Sequence, residues 1–226
     1  MKDEYLFGRN SVIEALNSGR EINKIFIAKG QRQGPLQRLI SLARSKGLVV
    51  QEVEPAKLNS MAGGQRHQGV VATVAPVTYV EVEDILALAR QKSEPPFLVL
   101  LDELEDPHNV GAILRTSEAA GVHGVLLPKR RSCPITAAVA KTSAGAVEYV
   151  PIARIGNIVQ TLNWLKKEGL WVVGADMEGT QNYFDADLTG PIVIVVGSEG
   201  QGLGRLIKEC CDFLVRIPML GKITPL

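Results

Sequence analysis

Cysteine is scarce: Cys133, Cys210 and Cys211 are the only three in 226 residues. The count is odd, two of the three are adjacent and no CxxC spacing occurs, which excludes a disulfide framework and a zinc ribbon and leaves reduced thiols as the expectation. Long apolar runs are missing too. None approaches the ~18–20 residues of a membrane span, so no membrane partner is expected. Met1 to Arg9 carries charges and aromatics rather than an apolar signal region, so a cytoplasmic location is expected. There is no HExxH and no GxSxG. The three histidines, His67, His108 and His123, are scattered and read as surface or packing residues, so no metal site is expected. Two nucleotide loops fail on spacing. Gly197 is followed five residues on by Gly202 and then by Leu203 rather than lysine, and Gly200-Gln201-Gly202 meets its third glycine one position early, at Gly204. A P-loop and a dinucleotide loop both lose ground. Internal repeats and low-complexity tracts are absent.

What is present is ordinary globular composition, 46% hydrophobic and 22% charged, which excludes a wholly disordered chain. The length accommodates one domain or two. The net charge of +1 conceals an asymmetry. Residues 1–78 hold 11 Lys+Arg and 6 Asp+Glu, net +5, and residues 79–226 hold 14 and 18, net −4. A basic first third suggests an anionic partner approached by that part.

The first third alternates helix and strand patterns. A helix follows Phe7-Gly8-Arg9, with Asn10 or Ser11 as its cap. Ile25–Ala28 reads as a strand, and Pro35–Lys46 as a helix with Leu36, Leu39, Ile40 and Ala43 on one face, ended by Gly47. Leu48–Val53 and Gly69–Val74 read as strands around one or two helical turns at Pro55–Met61. Residues 81–92 form an amphipathic helix broken by Pro95-Pro96, and the domain boundary falls between Pro76 and Pro96. Residues 1–78 are thus one small α/β unit, 79–96 a linker and 97–226 a second domain. That second domain has a βα rhythm. Its strands are placed at Phe97–Asp102, Gly124–Leu127, Tyr149–Ile152, Leu170–Ala175 and Pro191–Val196, and its helices near 109–120, 134–144, 156–168 and 203–210. Strands such as Leu98–Leu101 and Ile192–Val196 are apolar on both faces, which predicts an α/β fold with a parallel sheet covered by helices on both sides.

Ligands bind parallel sheets at the carboxyl ends of strands, and two such ends are unusual here. After the first, a polar loop from Asp102 leads into a helix that places Asn109 and Arg115 near one cleft. After the second, Gly197-Ser198-Glu199-Gly200-Gln201-Gly202-Leu203-Gly204 puts four glycines in eight positions, which lets backbone approach a ligand closely. Cys133 follows Lys129, Arg130 and Arg131, cations able to lower its pKa, but the favoured reading is a basic loop with an incidental thiol; that basic run is suited to phosphates.

At these loops the chain resembles the SpoU/TrmH RNA 2′-O-ribose methyltransferases of the SPOUT superfamily. Asp106-Pro107-His108-Asn109-Val110-Gly111-Ala112-Ile113-Leu114-Arg115-Thr116 is similar to the first motif of that family, Ile194 to Leu203 to the second, Ile217-Pro218-Met219-Leu220-Gly221 to the opening of the third, and Lys141-Thr142-Ser143-Ala144-Gly145-Ala146 to the small-residue stretch between them. Leu6 to Val12 and His67-Gln68-Gly69-Val70 resemble its substrate-binding domain, itself similar to RNA-binding ribosomal proteins. The arrangement is most like the 23S rRNA guanosine-2′-O-methyltransferase branch.

The resemblance implies an enzyme that uses S-adenosylmethionine as methyl donor and a ribose 2′-hydroxyl of RNA, 23S rRNA above all, as acceptor. It implies a SPOUT-type sheet with a trefoil knot, a homodimer, and a donor held by Ser143, Gly145, Val196, Gly197, Glu199, Gly200, Gly202, Ile217 and Met219. Arg115 matches the motif arginine. It would bind the target phosphate and lower the pKa of the hydroxyl by its charge, because an arginine is a poor base. Asn109 would position Arg115 or the ribose, and Glu199 would orient Arg115 or accept a hydrogen bond from RNA. Arg9, Arg66, Arg130 and Arg131 are the candidate RNA contacts. The pattern departs from the family after Gly221, where Lys222-Ile223-Thr224-Pro225-Leu226 replaces a Ser-Leu-Asn-rich stretch and a final helix. Weak donor binding and an incomplete knot are the expectation from that departure. A tRNA methyltransferase of the same family and a catalytically impaired RNA-binding protein are the alternatives. A nucleotide-dependent oxidoreductase is disfavoured by the loop spacings.

Overall fold

The computed structural model describes residues 4–30 and 34–219. The chain forms two compact units. One comprises Met1–Thr78 together with Pro107–Arg115 and Ile135–Tyr149, and the other comprises Tyr79–Asp106, Thr116–Pro134 and Val150–Leu226.

The first unit begins β1 (Glu4–Phe7), α1 (Arg9–Ser18), β2 (Ile22–Ala28), α2 (Pro35–Ser45), β3 (Val50–Val53), α3 (Pro55–Met61) and β4 (Val70–Val74). Its sheet runs β1-β4-β2-β3, antiparallel except for the parallel β2–β3 pair. The spacing that predicted α2 is borne out: Leu36, Leu39, Ile40 and Ala43 are its buried residues, Pro35 starts it and Gly47 follows it at φ 72°. The cap of α1 is a correction. Gly8, at φ 98°, precedes the helix, and Asn10 and Ser11 lie inside it. Ser11 does not cap because its hydroxyl is buried and donates to the Ala140 carbonyl at 3.2 Å.

The second unit holds α4 (Val82–Gln91), β5 (Phe97–Leu101), the end of α5 (Pro107–Ala119), β6 (Gly124–Pro128), β7 (Ile152–Ile155), α7 (Ile158–Lys167), β8 (Trp171–Ala175), β9 (Gln181–Asn182), β10 (Ile192–Val196), α8 (Arg205–Cys210) and β11 (Phe213–Arg216). The start of α5, α6 (Ala137–Thr142) and a short 3-10 turn at Ala146–Glu148 belong to the first unit. Seven parallel strands run β7-β6-β5-β10-β8-β11-β9. The α/β fold with a parallel sheet is therefore as the apolar strands implied.

One face of this sheet buries Leu98, Leu100, Leu126, Val172, Val193 and Val195 against Ile85 and Leu86 of α4, Leu162 and Leu165 of α7, and Ile207 of α8. Within this unit the other face carries a thinner cluster: Val173, Ile192 and Val215, rimmed by half-buried Phe97, Leu188, Ile194 and Phe213. The strand expected at Tyr149–Ile152 is displaced to Ile152–Ile155, because Ala146–Glu148 closes a turn and Pro151 precedes the ladder. Strands β1, β9 and β11 are additions. They span only two to four residues, too few for alternation to register. The stretch from Leu220 on, which carries the end of the third motif and the expected completion of a knot, lies outside the described residues.

Candidate functional site

The parallel strands present their carboxyl ends along one edge, and β10 is the central strand there. The chain leaves Val196 into the glycine-rich loop, which folds back on itself. The Gly202 N–H donates to the Ser198 carbonyl at 3.0 Å, and a Cβ on Gly197 would lie 2.3 Å from the carbonyl carbon of Gly202. Gly200 is the converse case. It takes φ 83°, and nothing lies within 4 Å of where its Cβ would stand, so its backbone faces open space. Glu199, Gly200 and Gln201 are exposed, while Leu203 is buried.

Two carboxylates fasten the loop from either side. Strand β10 lies between β5 and β8, and an aspartate follows each neighbour. Asp102, buried after β5, accepts a hydrogen bond from the Gly204 N–H, and its own N–H donates to the Val196 carbonyl at 2.8 Å. Burial pushes the Asp102 carboxyl above the usual carboxylate range, the Gly204 bond opposes this and the charge of Glu103 adds to it. Asp176, after β8, accepts the Leu203 N–H at 3.0 Å on one oxygen. Its other oxygen accepts the Glu178 N–H at 3.0 Å and lies 3.0 Å from the Lys208 ammonium. Burial pulls Asp176 upward, but the N–H groups of Leu203 and Glu178 and the Lys208 ammonium outweigh it and hold the carboxyl below its ordinary value. Neither aspartate belongs to the motifs that stand out in the sequence. The one signal was an acid placed directly after an apolar, buried strand.

The predicted site residues fall in both units. Val196, Gly197, Glu199, Gly200 and Gly202 share the loop, and exposed Ile217 and Met219 follow β11 at the carboxyl edge of the same sheet. Asn109, Arg115, Ser143 and Gly145 belong to the first unit. Asn109 and Arg115 lie six residues apart on α5, about 9 Å along the axis and on different sides of the helix. Arg115 is exposed and forms no ion pair among the described residues. Ser143 is buried and donates to the Ala140 carbonyl at 3.1 Å, and a Cβ on Gly145 would stand 2.6 Å from Glu14 of α1. Both thus have a packing reason that needs no ligand.

The start of α5 is fixed against α6. The Thr142 hydroxyl donates to the Pro107 carbonyl at 2.9 Å, and a Cβ at Gly111 would lie 2.0 Å from that hydroxyl oxygen and 2.9 Å from the Ser143 nitrogen. Gly→Ala in an ordinary helix interior gains about 1 kcal/mol. Gly111→Ala is expected to reverse that sign and cost about 2–3 kcal/mol through overpacking, with Thr142→Ala recovering part of the loss. Urea unfolding of the two single variants and the double variant checks this.

Of the basic candidates, Arg9 donates from Nε to the Gln68 carbonyl at 2.9 Å and Arg66 is exposed. A cation not anticipated, Lys141, places its ammonium 5.3 Å from the Phe7 ring centre. Burial, with Lys141 next, holds the nearby His67 imidazole below its ordinary pKa. His67 accepts the Gly69 N–H on Nδ1, which leaves Nε2 to donate to Asn59 at 3.0 Å. Arg130 is exposed, and Arg131 pairs with Glu103 at 2.8 Å. The cations beside Cys133 in sequence do not activate it. The thiol is buried, and burial, followed by the charge of Asp106, raises its pKa despite Arg154.

Comparison with known proteins assigns the chain to a family. Residues 96–226 match the profile of the SpoU rRNA Methylase family, and residues 5–80 match that for RNA 2′-O ribose methyltransferase substrate binding. The chain is 47% identical over 223 residues to YacO of Bacillus subtilis (strain 168), named for the TrmH family of tRNA/rRNA methyltransferases, covering 99% of this chain and 89% of that protein. Among solved structures, the AdoMet-bound rRNA methyltransferase of Sinorhizobium meliloti superposes with a TM-score of 0.76 at 26% identity, covering 99% of this chain and 81% of that one. The SpoU methyltransferase AviRb of Streptomyces viridochromogenes, at 22% identity and TM-score 0.79 over 99% of this chain and 84% of its own, shares the fold.

Proposed function

As a member of the SpoU rRNA methylase family, to which residues 96–226 and 47% identity to YacO assign it, this chain, we propose, transfers a methyl group from S-adenosylmethionine to a ribose 2′-hydroxyl of RNA, with 23S rRNA guanosine the preferred target. The observation that carries the reading is the loop after β10: a glycine-rich turn at the carboxyl end of a central parallel strand, anchored at its far end and open at Gly200. The donor fits there. Residues 199–201 are exposed, and the exposed side chains Ile217 and Met219 at the same sheet edge suit the donor's base. When bound, the donor supplies an activated methyl group on a sulfonium.

The protein's own task is to orient a weak nucleophile and ease loss of its proton. Arg115 carries that task. Its guanidinium, without an ion pair among the described residues, is suited to clasp a phosphate in bidentate fashion, and its fixed charge lowers the pKa of a neighbouring hydroxyl. Asn109 meets the ribose, and the exposed Glu199 accepts a hydrogen bond from RNA. Residues 1–78 serve as the substrate-binding part, with Arg9 and Arg66 on phosphates. Arg130 and Arg131 extend the contact, Arg131 by exchanging an exposed glutamate partner for phosphate. Residues 97–226 serve as the methyltransferase part, and two copies assemble as a homodimer.

Incubation with tritiated S-adenosylmethionine and unmodified rRNA or tRNA tests the reading. Label on one ribose 2′-hydroxyl of 23S rRNA supports it. Label on tRNA moves the substrate, and no label on either overturns it. Arg66→Ala is expected to weaken RNA binding a few-fold and to flatten the dependence of log affinity on log salt by about 0.7–0.9. Filter binding at several salt concentrations checks this, and an unchanged slope removes Arg66 from the interface.

A further inference from the structure

The geometry points to Asp176 as the residue that sets the shape of the donor loop: by binding the Leu203 N–H it holds Leu203 inward and leaves the exposed residues 199–201 to meet the donor. The inference rests on the reading of that loop as the S-adenosylmethionine site. Three successive N–H groups are already spent on the protein, Gly202 on the Ser198 carbonyl, Leu203 on Asp176 and Gly204 on Asp102. A backbone donor used this way cannot turn to a ligand, so these three are committed to holding the loop.

The carboxylate itself has little freedom. The Gly179 N–H donates to the Asp176 carbonyl at 3.0 Å, and a Cβ on Gly179 would stand 2.5 Å from the Val215 carbonyl carbon, so the turn is wedged against β11. Gly202, at φ 64°, passes close enough that a Cβ would lie 2.5 Å from the Asp176 carboxylate. Lys208, on the helix that follows the loop, lies 3.0 Å from Asp176 and 2.8 Å from Glu178. One carboxylate therefore ties the end of β8, the loop after β10 and α8. It touches no reacting atom, and its role is positioning.

Lys208 and Glu178 are the charged groups beside it. Cys211 also faces it, but that thiol, pushed up to about 11 by burial first, stays neutral near pH 7. A carboxyl held below its ordinary pKa contributes while ionised, and the contribution is lost as pH falls through the lowered value. Removing Lys208 raises that value, so the loss begins at higher pH.

In the full chain, Asp176→Asn is expected to weaken S-adenosylmethionine binding roughly ten-fold in calorimetry and to raise the donor KM in parallel. The kcat at saturating donor stays within about three-fold, and RNA affinity is unchanged. Lys208→Met is expected to shift the acid limb of donor binding to higher pH, and it carries the test if the aspartate variant does not fold. A folded Asp176→Asn protein that binds the donor like wild type, a fall in kcat with an unchanged donor KM, or a Lys208→Met pH profile that overlays wild type overturns the assignment. Failure of wild type itself to bind the donor overturns the reading of the loop, and the assignment with it.

Discussion

Arg115→Ala is expected to lower kcat for methyl transfer by roughly 10³-fold, with the unfolding midpoint and donor affinity close to wild type. The fold loses little because the side chain is exposed on α5 and forms no ion pair among the described residues. Leu114 beside it is fully buried and keeps the helix in place. Catalysis loses much because the proposed chemistry provides no other fixed cation beside the hydroxyl as its proton leaves. Arg115→Lys separates charge from shape. A lysine restores a point charge without the planar fork, so it is expected to recover part of kcat and little of the RNA affinity that bidentate phosphate binding supplies. Single-turnover kinetics with saturating donor reads the first quantity and filter binding the second. An Arg115→Ala protein within ten-fold of wild type in kcat would move the catalytic burden elsewhere.

The sheet and its loops were legible because their signals are local. Leu98–Leu101 and Ile192–Val196 announce buried parallel strands by composition alone, and the glycines after Val196 announce close backbone approach. What was missed depends on partners far away in the chain. Asp176 is defined by Leu203, 27 residues on, and the close approach at Gly145, beyond what its φ of 97° demands, by Glu14 of α1. Cys133 shows how far a local pattern reaches: three cations adjacent in sequence are able to activate a thiol, but burial governs the group and raises its pKa, in line with the incidental thiol favoured from sequence. Ser11 fits the composition of a helix cap, yet its hydroxyl answers to Ala140, 129 residues away. Local pattern reports what a segment prefers, and the long-range contact decides which preference is used.

Such a long-range contact also governs stability in the first unit, where Arg20→Ala is expected to cost about 3–5 kcal/mol. Arg20, in the basic N-terminal segment, reaches Glu148 in the short turn after α6, with Nη1 and Oε1 2.7 Å apart. Both side chains are nearly inaccessible, 10% and 5% exposed. Nε and Nη2 donate to the Ala75 carbonyl at 2.9 and 2.7 Å, so the guanidinium is satisfied on three sides. Truncation strands the Glu148 carboxylate in a site that water reaches poorly, and it strips the Ala75 carbonyl of two donors. The cost therefore comes from the groups left behind more than from the attraction lost. The double variant Arg20→Met/Glu148→Leu removes both charges while keeping volume, and it is expected to recover most of the loss. With total stabilities of about 5–15 kcal/mol for a domain, the single variant lowers the urea midpoint substantially and the double variant little. Equal losses in the two would show that the damage lies in packing around Ala75 rather than in the stranded charge. A single variant within about 1 kcal/mol of wild type would mean that the pair is solvated and behaves as a surface contact.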